Sequence, residues 1–452
     1  MLLATDKKFY TTLVGVALPI AMQNLITFGI NMMDTLMLGK LGDSIISAAN
    51  LAGQPFFIFT ILTYGIAGGA SVLASQYWGK GDIATVRKII AIALRISMVF
   101  SLLFGLLVLC APEMIMRIYT SDPAIVAYGA DYLRIVGYIY FFFGLSNTYV
   151  SSIRSMEIVG ISVVSNIITF LLNVIFNGIF IFGLFGAPAL GIKGAAIGTL
   201  IARIAEFCVL TVYALCIDKR LCFRIRDLLT RNKTLLRDFL HYSLPVALNE
   251  LMWALGTSIQ AMIFGRIGET AVAANSIAGV VQQLATITVF GVANAAAVMV
   301  GKSIGAGDIH RTKQSAFTLT MVSIFIGLSS ATLIFLVRNA VVDFYNVSAE
   351  AKELARQMLV VTAVIVFFIS LSALFIVGVL RGAGDSRFNL AVDISTLWLI
   401  SVPLGIVAGL LLKLPVPLVY LFFKLDEPAK VICCLFRFKS GRWIKNVTRE
   451  EV

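Results

Sequence analysis

Charge is scarce in this 452-residue chain: 13% of its residues are charged, against 59% hydrophobic. A soluble domain carries roughly twice that share of charge, so a water-exposed surface is excluded for most of the chain. Histidine is nearly absent. The only two, His241 and His310, lie too far apart in sequence to suggest a metal cluster or a hydrolytic triad. The six cysteines (Cys110, Cys208, Cys216, Cys222, Cys433, Cys434) show no metal-ligand spacing, and a disulfide framework is not expected of them. The alternating ten-residue segments of a membrane β-barrel are also missing. No cleavable leader is expected, because the first apolar run begins near Phe9 without an early small-residue cleavage site.

What the chain does have is long apolar runs from end to end. They predict an all-α polytopic membrane protein with twelve spans, near 9–39, 43–76, 86–111, 122–153, 158–183, 191–217, 237–265, 269–303, 312–337, 348–380, 386–411 and 416–436. The net charge of +12 could suggest nucleic acid, but the Lys and Arg residues gather in alternate short loops. Among these are Lys80 to Lys88, Arg154, residues 218–238, Lys302 to Lys313, Arg381 to Arg387 and a tail from Lys424. Such alternation sets topology and places both termini in the cytoplasm, in a plasma (inner) membrane protein that does not bind nucleic acid.

The spans repeat. At an offset of 226, residues 18–82 align with 244–308 without a gap and with 18 identities in 65 pairs. Pro19/Pro245, Gly39/Gly265, Gly65/Gly291 and the ending Gly79-Lys-Gly-Asp82 against Gly305-Ala-Gly-Asp308 all stay in register. Shared greasiness alone would not hold a proline, several glycines and an acidic ending in step. Each copy has six spans, an even number, so both begin on the same side. The expected architecture is two six-helix lobes, 1–217 and 237–452, related by a pseudo-two-fold axis along the membrane normal and joined by a cytoplasmic loop at 218–236.

Within this frame the ionisable residues stand out. Asp34 lies in the first span, roughly 20–25 Å past Pro19 along an α-helix. A carboxylate at that depth costs about 2.5–3.5 kcal/mol on insertion scales and marks an ion or substrate path. Its repeat partner is Gln260, while Asn24 is matched by Glu250. The fifth span offers Asn166, Asn173 and Asn177, the last two on one helix face, and Thr199 follows in the small-residue run of the sixth. Amide and hydroxyl oxygens suit a hard cation, and a bound Na⁺ or proton would offset the charge of Asp34. Glu250 and Asp393 are candidates for a second cation site or for the counter-charge to a cationic substrate. For Asp393 a pair with Arg387 is an equal alternative. Arg203 and Glu206, three apart, are expected to neutralise each other. The glycine-bearing Arg381-Gly-Ala-Gly-Asp385 lacks the strand and helix of a phosphate cradle.

The chain resembles the multidrug and toxic compound extrusion (MATE) family over nearly its whole length. The likeness rests on LP…MDTLMLGKLG in the first span, QYWGKGD, LFGAPALGIKGAAIGTLIAR at 184–203, LRGAGD at 380–385 and the tail LDEPAK…RFKSGRWIKN. The resemblance implies export of organic cations coupled to Na⁺ or H⁺. It matches Asp34 to the family's first-span aspartate, and Asn173, Asn177 and Thr199 to its amino-lobe cation site. Glu250 matches a seventh-span glutamate, whereas Ser370 stands where one branch of the family has an aspartate. That departure shifts weight to the amino lobe, with Asp34 as the expected Na⁺ ligand.

The reading is thus a monomeric secondary antiporter, not an enzyme. It needs no cofactor beyond the coupling ion, lies among membrane lipids and takes cationic small molecules. The alternative within transport is a flippase for lipids or lipid-linked oligosaccharides, which would want an Arg- and Lys-rich cavity. A membrane-embedded enzyme would need clustered His, Asp or Ser/Lys chemistry inside the spans, and a channel would not need offset carboxylates in a two-lobe repeat.

Overall fold

In the computed structural model, which describes residues 3, 4 and 6–450, the chain is helical throughout, with no strand among the described residues. The expected outer ends of the lobes, 1 and 452, lie outside the described residues. The first three spans are the unbroken helices α1 (Lys7–Gly39), α2 (Asp43–Lys80) and α3 (Ile83–Cys110). A short helix, α4 (Pro112–Tyr119), precedes a fourth span split into α5 (Pro123–Val136) and α6 (Ile139–Arg154). Helices α7 (Gly160–Phe182) and α8 (Ile192–Val212) complete the first half.

The second half repeats this order with α9 (Lys233–Ile267), α10 (Glu269–Gly305), α11 (Ile309–Phe344) and α12 (Ala349–Ala373). Its eleventh span joins α13 (Ser386–Thr396) to α14 (Val402–Ile406) through a π-turn at Leu397–Ser401, and the twelfth is α15 (Val416–Phe422) with α16 (Asp426–Lys439). The expected spans fall on these helices, with ends displaced by a few residues. Among the described residues, nine helical segments are long and apolar enough to cross a membrane by themselves. The fourth and twelfth spans fall short because each is broken into two shorter helices, and α9 because Asn249, Glu250 and Gln260 make its middle less apolar.

Local chemistry explains the boundaries. Asp122 caps α5 by accepting from the backbone N–H groups of Ala124 (2.8 Å) and Ile125 (3.3 Å), with Pro123 at the first helical position. Asp308 caps α11 through the N–H of Arg311 at 2.8 Å. Helix α7 stops at Gly183, whose left-handed φ of 75° an L-residue would resist.

By packing, one compact unit comprises Met1–Ala21, Ser75–Asp82 and Leu248–Glu451, and the other Met22–Ala74 and Ile83–Ala247. The first unit is built on an apolar core that includes Phe264, Met358, Val366 and Tyr420. The second has a core around Phe59, Leu133 and Tyr140, with Phe59 stacked on Phe100 at 5.5 Å. Large apolar residues such as Leu103, Leu106, Leu336 and Phe344 remain exposed, as lipid-facing positions would be.

The sequence repeat recurs in the helix contacts. In one unit a Cβ on Gly65 would come within 2.3 Å of Ala247 Cα. In the other, its counterpart Gly291 sits against Ala17 and Ala21, the latter 226 positions before Ala247. Likewise a Cβ on Gly79 would strike Lys302 O at 2.0 Å, and one on Gly305 would strike Gln76 O at 1.8 Å. The same offset relates both members of this pair. These glycines allow backbones to touch, and for that reason they keep register between the copies.

Candidate functional site

The amino-half site is assembled by α1, α7 and α8. Helix α8 enters with Gly194 and Gly198 facing α7. A Cβ on Gly194 would meet Phe180 O at 2.2 Å, and one on Gly198 would meet Asn177 Oδ1 at 2.3 Å. This approach seals Asn173 and Asn177, which are 1% and 0% exposed. Asn177 Nδ2 donates to Asp34 Oδ1 at 2.6 Å and lies 3.3 Å from Asn173 Oδ1, while Asn173 Nδ2 donates to Thr199 Oγ1 at 3.2 Å. Asp34, Asn177, Asn173 and Thr199 therefore form one connected chain, with Asp34 itself half-buried.

Two features bear on what the chain can hold. Asn177 Oδ1 is buried without a hydrogen-bond partner among the described residues, and such an orphan acceptor is unusual in a buried site. No Lys or Arg forms an ion pair with Asp34 among the described residues. The nearby Arg203 is held by Glu206 at 2.7 Å, both largely buried, as the sequence spacing predicts. Arg203 also lies over the Phe143 ring at 5.1 Å. It reaches Asp34 only as a through-space charge. Asn166 does not join the group. Its Nδ2 donates to Ser162 O one turn back at 2.8 Å, which corrects its expected place beside Asp34.

The carboxy-half candidates are arranged differently. Glu250 accepts from Arg381 Nη2 at 2.8 Å and is thereby neutralised. Asp393 is buried, taking Asn249 Nδ2 at 2.8 Å and facing Lys430 Nζ at 2.7 Å. The partner weighed for Asp393 in the sequence, Arg387, gives way to a lysine from α16. Ser370, at the position where an aspartate would complete a carboxylate pair, exchanges hydrogen bonds with Ser323 at 2.7–2.8 Å. Gln260, the counterpart of Asp34, lines a cavity of about 180 Å³ together with Asn275, Gln282, Tyr420 and Lys424. The two halves thus put carboxylates at different places.

Sequence reasoning missed the acidic and basic residues of α16. Asp426 and Lys430 are buried, whereas the basic run from Lys424 reads as a solvated tail. Their i,i+4 spacing was the available signal, since it puts opposite charges on one helix face.

The comparisons agree with this architecture. A family model described as MatE matches residues 19–179 and 245–407, one stretch in each copy of the repeat. The Bacillus subtilis transporter YisQ is 23% identical over 91% of this chain and 90% of its own length. The probable multidrug resistance protein NorM of Thermotoga maritima is 23% identical over 97% of this chain and 95% of its own. Among solved structures, a MOP superfamily transporter from Pyrococcus furiosus superposes with a TM-score of 0.86 at 17% identity, covering 98% of both chains. With twelve spans in two six-helix halves and a family match over most of its length, the chain belongs to the MatE family of membrane transporters and is not an enzyme.

Proposed function

We propose that the protein is a secondary active exporter of cationic, amphipathic small molecules, driven by antiport of Na⁺ or H⁺. The observation that carries this reading is the connected chain Asp34–Asn177–Asn173–Thr199. It has a carboxylate without an ion-pair partner among the described residues and an amide oxygen, Asn177 Oδ1, left unbonded. Carboxylate, amide and hydroxyl oxygens are hard ligands, and a proton on Asp34 would serve the same end. Because Glu206 already engages Arg203, neutralising Asp34 falls to an exchangeable ion. The multidrug resistance name borne by the Thermotoga maritima relative supports the substrate class.

In the cycle we envisage, the ion reaches Asp34 from outside, and its binding favours the state that releases drug. Coupling requires only that ion and drug prefer different states of an alternating-access equilibrium. The lobes would be residues 1–217 and 237–452, joined by 218–236. Both termini would lie in the cytoplasm of a plasma-membrane monomer, on the side of the basic loops. Glu250, bound to Arg381, would act as an accessory charge rather than as the principal ion site. Ethidium efflux from vesicles, measured under separate Na⁺ and pH gradients, tests the reading. Dependence on one gradient supports it, and dependence on neither overturns it.

A further inference from the structure

Lys430 is the centre of a buried ionic group in the second half. Its ammonium lies 2.7 Å from Asp393 Oδ1, 2.7 Å from Asp426 Oδ2 and 3.4 Å from Glu427 Oε1. The four side chains are 4%, 9%, 6% and 15% exposed in the order Lys430, Asp393, Asp426, Glu427. Three carboxylates around one ammonium leave two negative charges without a partner if all are ionised, which a dry interior disfavours strongly. The other titratable groups facing the cluster are Lys424, on the side of Asp426, and the buried Cys434, one turn along α16.

The hydrogen bonds identify where a proton fits. Both oxygens of Asp426 are engaged, one by Lys430 and the other by the Ser401 hydroxyl at 2.9 Å. Asp393 accepts from Asn249 on Oδ2, and its Oδ1 lies 2.7 Å from the Lys430 ammonium as an ion pair without a hydrogen bond. Glu427 is different. It has the longest contact to Lys430, and its Oε2 meets the Ser372 hydroxyl, which is also 3.2 Å from Ile369 O. A serine hydroxyl has one hydrogen and here faces two acceptors. A proton on Glu427 resolves the conflict: Glu427 donates to Ser372 Oγ, and Ser372 donates to Ile369 O.

The group also has an opening. A cavity of about 30 Å³ is lined by Thr257, Gln260, Lys424, Asp426 and Glu427, enough for a water. Thr257, Gln260 and Lys424 also border the larger cavity of about 180 Å³, so polar side chains lead from there to Glu427. A metal ion is a poor match, because the ammonium already occupies the point on which the carboxylates converge. No group of three or more His, Cys, Asp or Glu is placed to hold a metal among the described residues.

We propose that Glu427, within the Asp393–Asp426–Lys430 cluster, is a second proton-binding site, separate from Asp34 and reached through Thr257, Gln260 and Lys424. It stands independently of which ion drives export. The test is an infrared titration of the purified protein in lipid nanodiscs, without substrate, from alkaline to acidic buffer. The carbonyl band of a protonated carboxylic acid is expected to persist in Asp34→Asn, to disappear in Glu427→Gln and to reappear in Glu427→Asp. Ser372→Ala, which leaves every carboxylate in place, is expected to shift that band. If Glu427→Gln lowers thermal stability but leaves proton uptake unchanged, the cluster is only structural and the proposal fails. If Glu427→Gln does not fold, an unshifted band in Ser372→Ala overturns the proposal. Loss of drug efflux with the band intact would count against the export reading and leave this one standing.

Discussion

Arg381 grips Glu250 at 2.8 Å, and Arg154 makes the corresponding contact to Gln23 at 2.9 Å in the first half. Both arginines stand 227 positions apart, as do their partners. The first copy satisfies its arginine with a neutral amide, whose Nε2 then donates to Ser162 at 2.6 Å. In the second copy Asn249, which matches Gln23 in the repeat, bonds Asp393 instead, and the arginine turns to the adjacent carboxylate, Glu250. One arginine contact has thus diverged into a neutral bridge in one half and an ion pair in the other.

This pair should be sensitive to the loss of either partner alone. Arg381→Met leaves Glu250 largely buried and unpaired, at an expected cost of about 3–5 kcal/mol. Combining it with Glu250→Gln, the residue type found at Gln23, should recover most of that loss. Thermal melting of the detergent-solubilised protein measures both, and a double variant no better than the single would rule out the ion pair as the cause.

Asp34→Asn should reduce gradient-driven ethidium efflux by roughly 5- to 150-fold, the range spanned by typical coupling free energies, with little change in expression. Asn177→Ala should do the same by removing the donor at 2.6 Å. The readout is initial efflux rate in vesicles, and wild-type rates in either variant would remove Asp34 or Asn177 from the coupling path.

Gly198 offers a subtler probe, because a Cβ there would lie 2.3 Å from Asn177 Oδ1 and 2.9 Å from its backbone nitrogen. Gly198→Ala should cost about 1–3 kcal/mol through overpacking and should impair ion dependence as well, by pushing Asn177 from Asp34. Gly160→Ala, in open space at the start of the same α7, is the control and should be silent in both assays.

The carboxy-terminal segment is tied down by Gln76, whose amide donates to Gly382 O and Lys445 O, both at 3.1 Å, and accepts from Val447 N at 2.9 Å. Gln76→Ala strands these buried backbone groups, for a loss of about 1–3 kcal/mol. Limited proteolysis should then cleave residues 444–450 faster than in the wild type, and equal rates would show that the segment is held by other contacts.

The sequence by itself determined the spans, the repeat and the composition of the amino-half group. Helical periodicity puts Asn173 and Asn177 on one face, and the same local rule predicts the Arg203–Glu206 pair. The small residues of α8 signal a close approach, and in the structure Gly198 makes it against Asn177. What only tertiary structure decided were the partners of charges far apart in the chain. Asp393 and Lys430, or Glu250 and Arg381, meet because separate helices pack, and no local pattern encodes which faces will oppose. Asn166 shows the reverse failure, since a local bond to its own helix took the place of the expected long-range one. The charged residues of α16, which overlaps the end of the twelfth expected span, read as part of a basic tail until packing buries one face of the helix. A buried charge is then held in place by partners from other helices, which the sequence of α16 alone does not name.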